Sequence, residues 1–262
     1  YEGTLGEGTL DISGAGTQVL RSSGADTGLT ISGGNLVLQG KADVDGARLS
    51  YGNLVNSGNL TIQASDNSLT AVNTTLSVEN ASFSSGSATT FTLNTDADMT
   101  ASFIEVSGDV VIEDGASFHV TSIPDVNITW KSGNPMELTL MELTGNGTID
   151  LGENTLTVGG LFLTYYKNAH LVQEGDKVVL KAEEQTDNIY AGVADTANSM
   201  AGANLLWDAA RHGSIDQAVT DFLGALNNNM LNNPSAARRS LAAMAGSTVN
   251  ALGTAQRDAL RD

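Results

Sequence analysis

From Thr9 to about Leu180 a short phrase keeps returning: two β-branched or leucine residues flank one residue, usually polar, with Gly, Asn or Asp close by. Instances are Leu10-Asp11-Ile12, Leu29-Thr30-Ile31, Leu36-Val37-Leu38, Leu60-Thr61-Ile62, Leu76-Ser77-Val78 and Phe91-Thr92-Leu93. Val110-Val111-Ile112, Leu138-Thr139-Leu140, Ile149-Asp150-Leu151 and Leu156-Thr157-Val158 continue it. Period-two alternation puts both flanking side chains on one face of a strand and the middle one on the other. So short a strand cannot bury its face alone, so the phrases must stack on one another.

Successive phrases often stand roughly 16 to 24 residues apart, the scale of one turn of a repeat architecture. Stacking at that interval lines Leu over Leu and Ile over Ile. Gly33-Gly34, Gly159-Gly160, Ser13-Gly14, Ser57-Gly58-Asn59 and Asp114-Gly115 are read as the corners, where glycine supplies a positive φ. The expected fold is mainly β, a right-handed parallel β-helix (solenoid) followed by a small α-helical region. An antiparallel sandwich also shows short alternating strands. The low aromatic content and very short strands favour a narrow coil over two sheets that need large interdigitating side chains. Ile123 to Pro135, with Pro124 and Trp130, breaks the pattern and reads as a loop. Leu161 to Tyr166 and Lys177 to Lys181, joined at Glu174-Gly175-Asp176, read as a closing hairpin that caps the stack.

After Glu183-Glu184-Gln185-Thr186-Asp187 the texture becomes Ala-rich with helical spacing. Asp195 to about His212 carries Met200, Ala203, Leu206, Trp207 and Ala210 at three- and four-residue intervals, with Gly213 as a stop. Ser214 with Gln217 reads as a capping box opening a second helix through Phe222, Leu223 and Leu226. Asn233-Pro234 opens a third, with proline at its first position. The expected division is therefore residues 1–185 as the β-solenoid with its cap and 186–262 as a helical linker.

The run from Ser240 through Gly246, Ser247, Thr248, Gln256 and Arg257 to Asp262 resembles the segment just upstream of the translocator barrel in bacterial autotransporters. Ala203 to Ala210, around Trp207 and Asp208, and Asp221-Phe222-Leu223 are similar to the helical linkers of the same proteins. The resemblance implies a β-helical passenger domain on the bacterial cell surface, or secreted from it, continuous with an outer-membrane barrel. It also implies a structural or adhesin role, with a host or bacterial surface protein or glycan as partner. The chain opens on Tyr1-Glu2-Gly3-Thr4, without a basic n-region and apolar core, and ends at Asp262 before any series of ~10-residue amphipathic strands, which reads as a segment of a longer exported protein.

The formal charge is −18, from 30 acidic against 12 basic residues, and no Lys/Arg run could neutralise several phosphates, so nucleic acid is not an expected partner. Surface acidity instead keeps a strand-rich chain soluble and discourages edge-to-edge pairing. Cysteine is absent, which removes disulfides, thiolate metal sites and thiol catalysis together.

The sharpest catalytic candidate is the triplet Asp26, Thr27 and Gly28, the D-T-G of aspartic peptidases, in which two carboxylates share a proton and activate water. One copy requires a dimer, and Ser23-Gly24-Ala25 precede it where such enzymes place apolar residues. That alternative is a secreted, mucin-degrading peptidase; the plainer reading is a solvated turn. Asp43-Val44-Asp45-Gly46 opens like a calcium loop but lacks the later oxygen ligands, and Asp96 and Asp98 alternate as two solvated carboxylates. His119, His170 and His212 lack metal-ligand spacing. Around Ser247, Ala245 and Val249 stand where a nucleophile elbow needs glycines. A polysaccharide lyase groove would need aromatic platforms and cations, whereas the regular region offers only scattered Lys41 and Arg48. The expected function is non-enzymatic, with no cofactor and no metal.

Overall fold

The computed structural model describes residues 5, 7–21, 23–24, 26–40, 47–63, 73–94, 100–101, 103–122, 136–158, 162–212 and 217–245. The first strands are β1 (Gly8–Ile12), β2 (Thr17–Leu20), β3 (Thr27–Ile31), β4 (Asn35–Gln39), β5 (Ala47–Ser50), β6 (Leu54–Asn56) and β7 (Asn59–Gln63). Next come β8 (Thr74–Val78), β9 (Ala81–Phe83), β10 (Ala88–Asn94), β11 (Thr100–Ala101), β12 (Phe103–Val106), β13 (Val110–Ile112) and β14 (Ser117–Ser122). β15 (Met136–Leu143), β16 (Ile149–Leu151), β17 (Thr155–Val158), β18 (Tyr166–Glu174) and β19 (Lys177–Glu184) complete them. The helices are α1 (Phe162–Tyr165), α2 (Ala197–His212) and α3 (Gln217–Asn232), with a 3-10 turn at Ile189–Val193 and further helix over 234–245.

The chain is mainly β, with three parallel or mixed sheets and C-terminal helices. The first sheet runs β1-β3-β6-β9-β13-β16; the second β17-β14-β10-β7-β4-β2, with β11 on β10; the third β18-β19-β15-β12-β8-β5. From β3 onward the chain visits first, second and third sheet in turn. Pairing is parallel except at β11 and in the closing strands β15-β19-β18, which are antiparallel.

Register stacks like on like. In the first sheet Leu10, Leu29, Leu54, Ala81, Val110 and Ile149 form one column, and Ile12, Ile31, Asn56, Phe83, Ile112 and Leu151 the next. Leu38, Ile62, Phe91 and Val120 do the same in the second sheet, and Leu49, Leu76, Ile104 and Met141 in the third. All of these from Ile31 to Ile112 are buried. The phrases Leu29-Thr30-Ile31, Leu36-Val37-Leu38 and Leu60-Thr61-Ile62 bury both flanks and leave the middle residue half-buried, as alternation requires. In β15 the register shifts between Thr139 and Met141, a bulge that turns Leu140 and Met141 inward together.

Two sequence expectations are corrected here. Gly14, Gly34 and Gly115 have φ of +91°, +129° and +85°, but Gly58 does not lie in the positive-φ region. Gly58 is required by proximity instead: a Cβ there would stand 2.8 Å from Ile31 Cγ2 and 3.0 Å from the Gly34 carbonyl oxygen. The first arm of the closing hairpin is also different, because Phe162–Tyr165 forms the short helix α1 and the arm starts at Tyr166. Tyr165 is buried and its hydroxyl donates to the Ala210 carbonyl at 3.2 Å, and such tertiary burial overrides an alternating local pattern. Gly159-Gly160 and the Ile123–Pro135 interruption lie outside the described residues.

Cα packing divides the chain into two units: Tyr1–Val158 with Tyr166–Glu184, and Gly159–Tyr165 with Gln185–Asp262. In the second unit Thr196 caps α2 reciprocally with Ser199: Ser199 N–H donates to Thr196 Oγ1 (3.1 Å) and Thr196 N–H to Ser199 Oγ (2.9 Å). Asn233 Oδ1 accepts from Ala236 N–H at 3.2 Å, so Pro234 occupies the first helical position as its sequence indicates. Buried Thr164, Tyr190 and Asn227 form one network, with Thr164 Oγ1 at 2.7 Å from Tyr190 Oη and accepting from Asn227 Nδ2 at 2.9 Å. Burial pushes the Tyr190 phenol well above its ordinary value, so it remains a neutral hydrogen-bonding group. Tyr190 meets Trp207 edge-on at 6.3 Å, and Arg211 stacks 4.6 Å over Trp207. Ser214, Gly246 and the run after Gly246 are outside the described residues.

Candidate functional site

Thr27 N–H donates to the Gly24 carbonyl at 2.7 Å, closing a tight turn on which Asp26 stands exposed. Thr27 is buried at the start of β3, and half-buried Gly28 pairs in register with Thr9 of β1. The triplet is therefore split between solvent and interior by the onset of a strand. In an aspartic peptidase the carboxylate that activates water has a second carboxylate beside it and is shielded from solvent; Asp26 sits at an exposed turn.

His119 lies mid-strand in β14 with Nδ1 2.8 Å from Thr157 Oγ1, and burial lowers its pKa, opposed by a hydrogen bond with the Thr157 backbone. Desolvation disfavours the imidazolium, so the ring is neutral at neutral pH. His170 is instead on β18, with Nδ1 2.9 Å from the Asn168 carbonyl oxygen. Among the described residues no three His, Asp or Glu side chains are grouped to hold a metal ion. Lys41, Asp43, Asp45, Asp96 and Asp98 lie outside the described residues.

Several charges of the third sheet are paired along its outer face. Arg48 on β5 ion-pairs with Glu105 on β12, and Ser77 on β8 between them donates to Glu105 at 3.1 Å. Lys177 reaches Glu142 at 3.2 Å, and Lys181 reaches Glu174 at 2.6 Å and Glu137 at 3.0 Å. Hydrogen bonds that Lys181 donates to Glu174 and Glu137 raise its amine above its ordinary value. Cations neutralised strand by strand in this way register the sheet; they are not free to grip an acidic sugar.

A polar ladder runs down the corner that leads into the first sheet, and it escaped the sequence reading. Asn80 Nδ2 donates to Asn53 Oδ1 at 2.7 Å, Asp109 N–H donates to Asn80 Oδ1 at 2.8 Å, and Asp109 Oδ1 accepts from Thr148 N–H and Oγ1 at 2.8 and 2.9 Å. Its signal is a polar residue just before each of β6, β9, β13 and β16, at intervals of 27, 29 and 39 residues. Such side chains satisfy the backbone of the next turn where the sheet ladder is interrupted.

A cavity of about 380 Å³ opens between β1 and β2, lined by Leu5, Leu10, Ile12 and Leu20 with Asp11, Ser13 and Gln18 as its polar members. Asp11 is already engaged, accepting from Ser32 Oγ at 2.6 Å. Comparison with protein-family models, with curated proteins and with solved structures finds no match.

Proposed function

We propose that this chain is a surface-displayed structural segment of an exported bacterial protein, a spacer and adhesive display surface of the autotransporter passenger type. In this reading residues 1–185 are a three-faced, right-handed parallel β-solenoid, and 186–262 lead toward an outer-membrane barrel. The observation that carries it is the cyclic visiting order of the three sheets with in-register columns, because one parallel rung per turn is what a coil produces. Right-handed crossover is the strong rule for parallel connections. The ladder Asn53-Asn80-Asp109-Thr148 and the ion pairs on the third sheet supply register without cysteine, as suits a chain that crosses a membrane unfolded.

Each rung in a coil touches only its neighbours, so a whole rung is dispensable. Deleting residues 53–79 joins Gly52 to Asn80, which stands just before β9 as Asn53 stands just before β6. The expected product folds cooperatively, keeps its β-type circular dichroism, and has a denaturant m-value lower by roughly a tenth. A sandwich loses strands from both sheets on the same deletion, so an unfolded product overturns the coil.

Display is tested by protease shaving of intact cells of the native host. Peptides of this chain are expected in the supernatant before lysis. Their release only after lysis places the protein inside and removes the passenger reading.

A further inference from the structure

The outer face of the second sheet differs from the other two in charge. Its central outward row is Val19, Val37, Thr61, Thr90, His119 and Thr157, one residue from each of six strands in register. The row beside it holds Asn35, Asn59, Ser117 and Thr155. Among the described outward positions of these strands none is acidic, although the chain carries 30 acidic residues. The equivalent row of the first sheet begins with Asp11 and ends with Asp150, and that of the third contains Glu105 and Glu142. His119 adds no charge at neutral pH, since burial favours its neutral form.

The geometry points to this face as a self-association surface, on which a second copy of the chain lays its own second sheet. Two copies of net charge −18 repel, so close approach requires the surface patch that brings no carboxylates together. The groups present suit self-pairing. Threonine and serine hydroxyls and asparagine amides each donate and accept, so one copy of the face can satisfy another. Asn59 already does this within the sheet, donating to Asn35 Oδ1 at 2.9 Å. The methyl groups of Val19, Val37 and the threonines contribute apolar contact area, and the described outward positions hold no aromatic platform of the kind that stacks on sugar rings.

Size sets the strength. Six strands at ~4.8 Å spacing and about five residues each of ~3.3 Å cover roughly 400 Å². Two such faces bury about 800 Å², below the roughly 1,200 Å² of a stable specific interface. One pair of copies is therefore held weakly, and many copies displayed side by side associate through the sum of weak contacts. The purified chain should be monomeric when dilute at low salt. Its association should rise as screening shortens the range of the charge repulsion.

Sedimentation velocity on the full chain, from about 0.05 M to about 0.5 M sodium chloride and over a concentration series, reads this directly. Wild type is expected to shift from the 27.0 kDa monomer toward dimer and larger species as salt and concentration rise. The double variant Thr61→Glu/Thr90→Glu should weaken association at least about tenfold. Thr30→Glu/Ser82→Glu, which adds the same charge to the first sheet's outer row, should leave it near wild type. Thr157→Glu, at an exposed position of the edge strand, serves if the double variant does not fold by circular dichroism. A wild-type chain that stays monomeric throughout, or equal effects of the two double variants, overturns the proposal. Retention of a neutral polysaccharide such as dextran, lost in Thr61→Glu/Thr90→Glu without any self-association, also overturns it and reassigns the face to glycans.

Discussion

Replacing Phe83 by alanine is expected to lower unfolding free energy by about 3–5 kcal/mol. Phe83 is fully buried between Asn56 and Ile112 in its column, and its ring meets that of Phe118 edge-on at 5.5 Å across the core between first and second sheets. Both neighbours belong to other strands, held by their own backbone pairing, so the void cannot be closed by local collapse. Lost transfer energy and lost edge-to-face contact then add to the cavity term. Against a domain stability of roughly 5–15 kcal/mol this is a large fraction. Urea unfolding followed by circular dichroism measures it, and Phe83→Leu, which keeps most of the volume, should cost only about 1 kcal/mol. A loss below about 1 kcal/mol for the alanine variant means that the columns do not form one continuous core.

Asn56→Ala should cost about 3 kcal/mol, unusual for removing a polar side chain. Asn56 is wholly buried in a column otherwise made of Ile, Phe and Leu, and its amide is engaged at both ends. Nδ2 donates to Thr89 Oγ1 at 3.0 Å and to the Ala88 carbonyl at 3.2 Å, while Oδ1 accepts from Gly58 N–H at 3.1 Å. Truncation leaves the Gly58 N–H and the buried Thr89 hydroxyl without this partner, at about 1–3 kcal/mol for each group left unsatisfied. Asn56→Leu restores apolar volume but not these bonds, so it should remain destabilised by about 2 kcal/mol in the same titration. Recovery to wild-type stability in the leucine variant would show that shape alone, not the amide, matters at this corner.

The same residue explains why the sequence reading found some strands and missed others. Leu54-Val55-Asn56, Ala81-Ser82-Phe83 and Phe103-Ile104-Glu105-Val106 are strands β6, β9 and β12, but alanine, asparagine and an outward phenylalanine disguise the apolar-polar-apolar phrase. Their inward positions are set by partners on neighbouring strands. The Asp26-Thr27-Gly28 triplet was legible as a motif, yet only the turn closed by Gly24 shows that its carboxylate is solvated while Thr27 turns inward. The acid-free face of the second sheet had no linear signature at all, since its residues come from six separate strands.

Period-two alternation by itself determined that the chain is mainly β, and three- and four-residue spacing with Asn233-Pro234 determined where helix resumes, because both depend on side-chain direction along one segment. The tertiary structure alone decided that Phe162–Tyr165 is helical, that Asn56 belongs in an apolar column and that Gly58 is needed for closeness rather than for φ. It also chose the partners of Asn53, Asn80 and Asp109, which are 27 to 39 residues apart. The reason is physical: a buried polar group or a crowded Cα takes its free energy from atoms on neighbouring strands, and no local pattern carries that information.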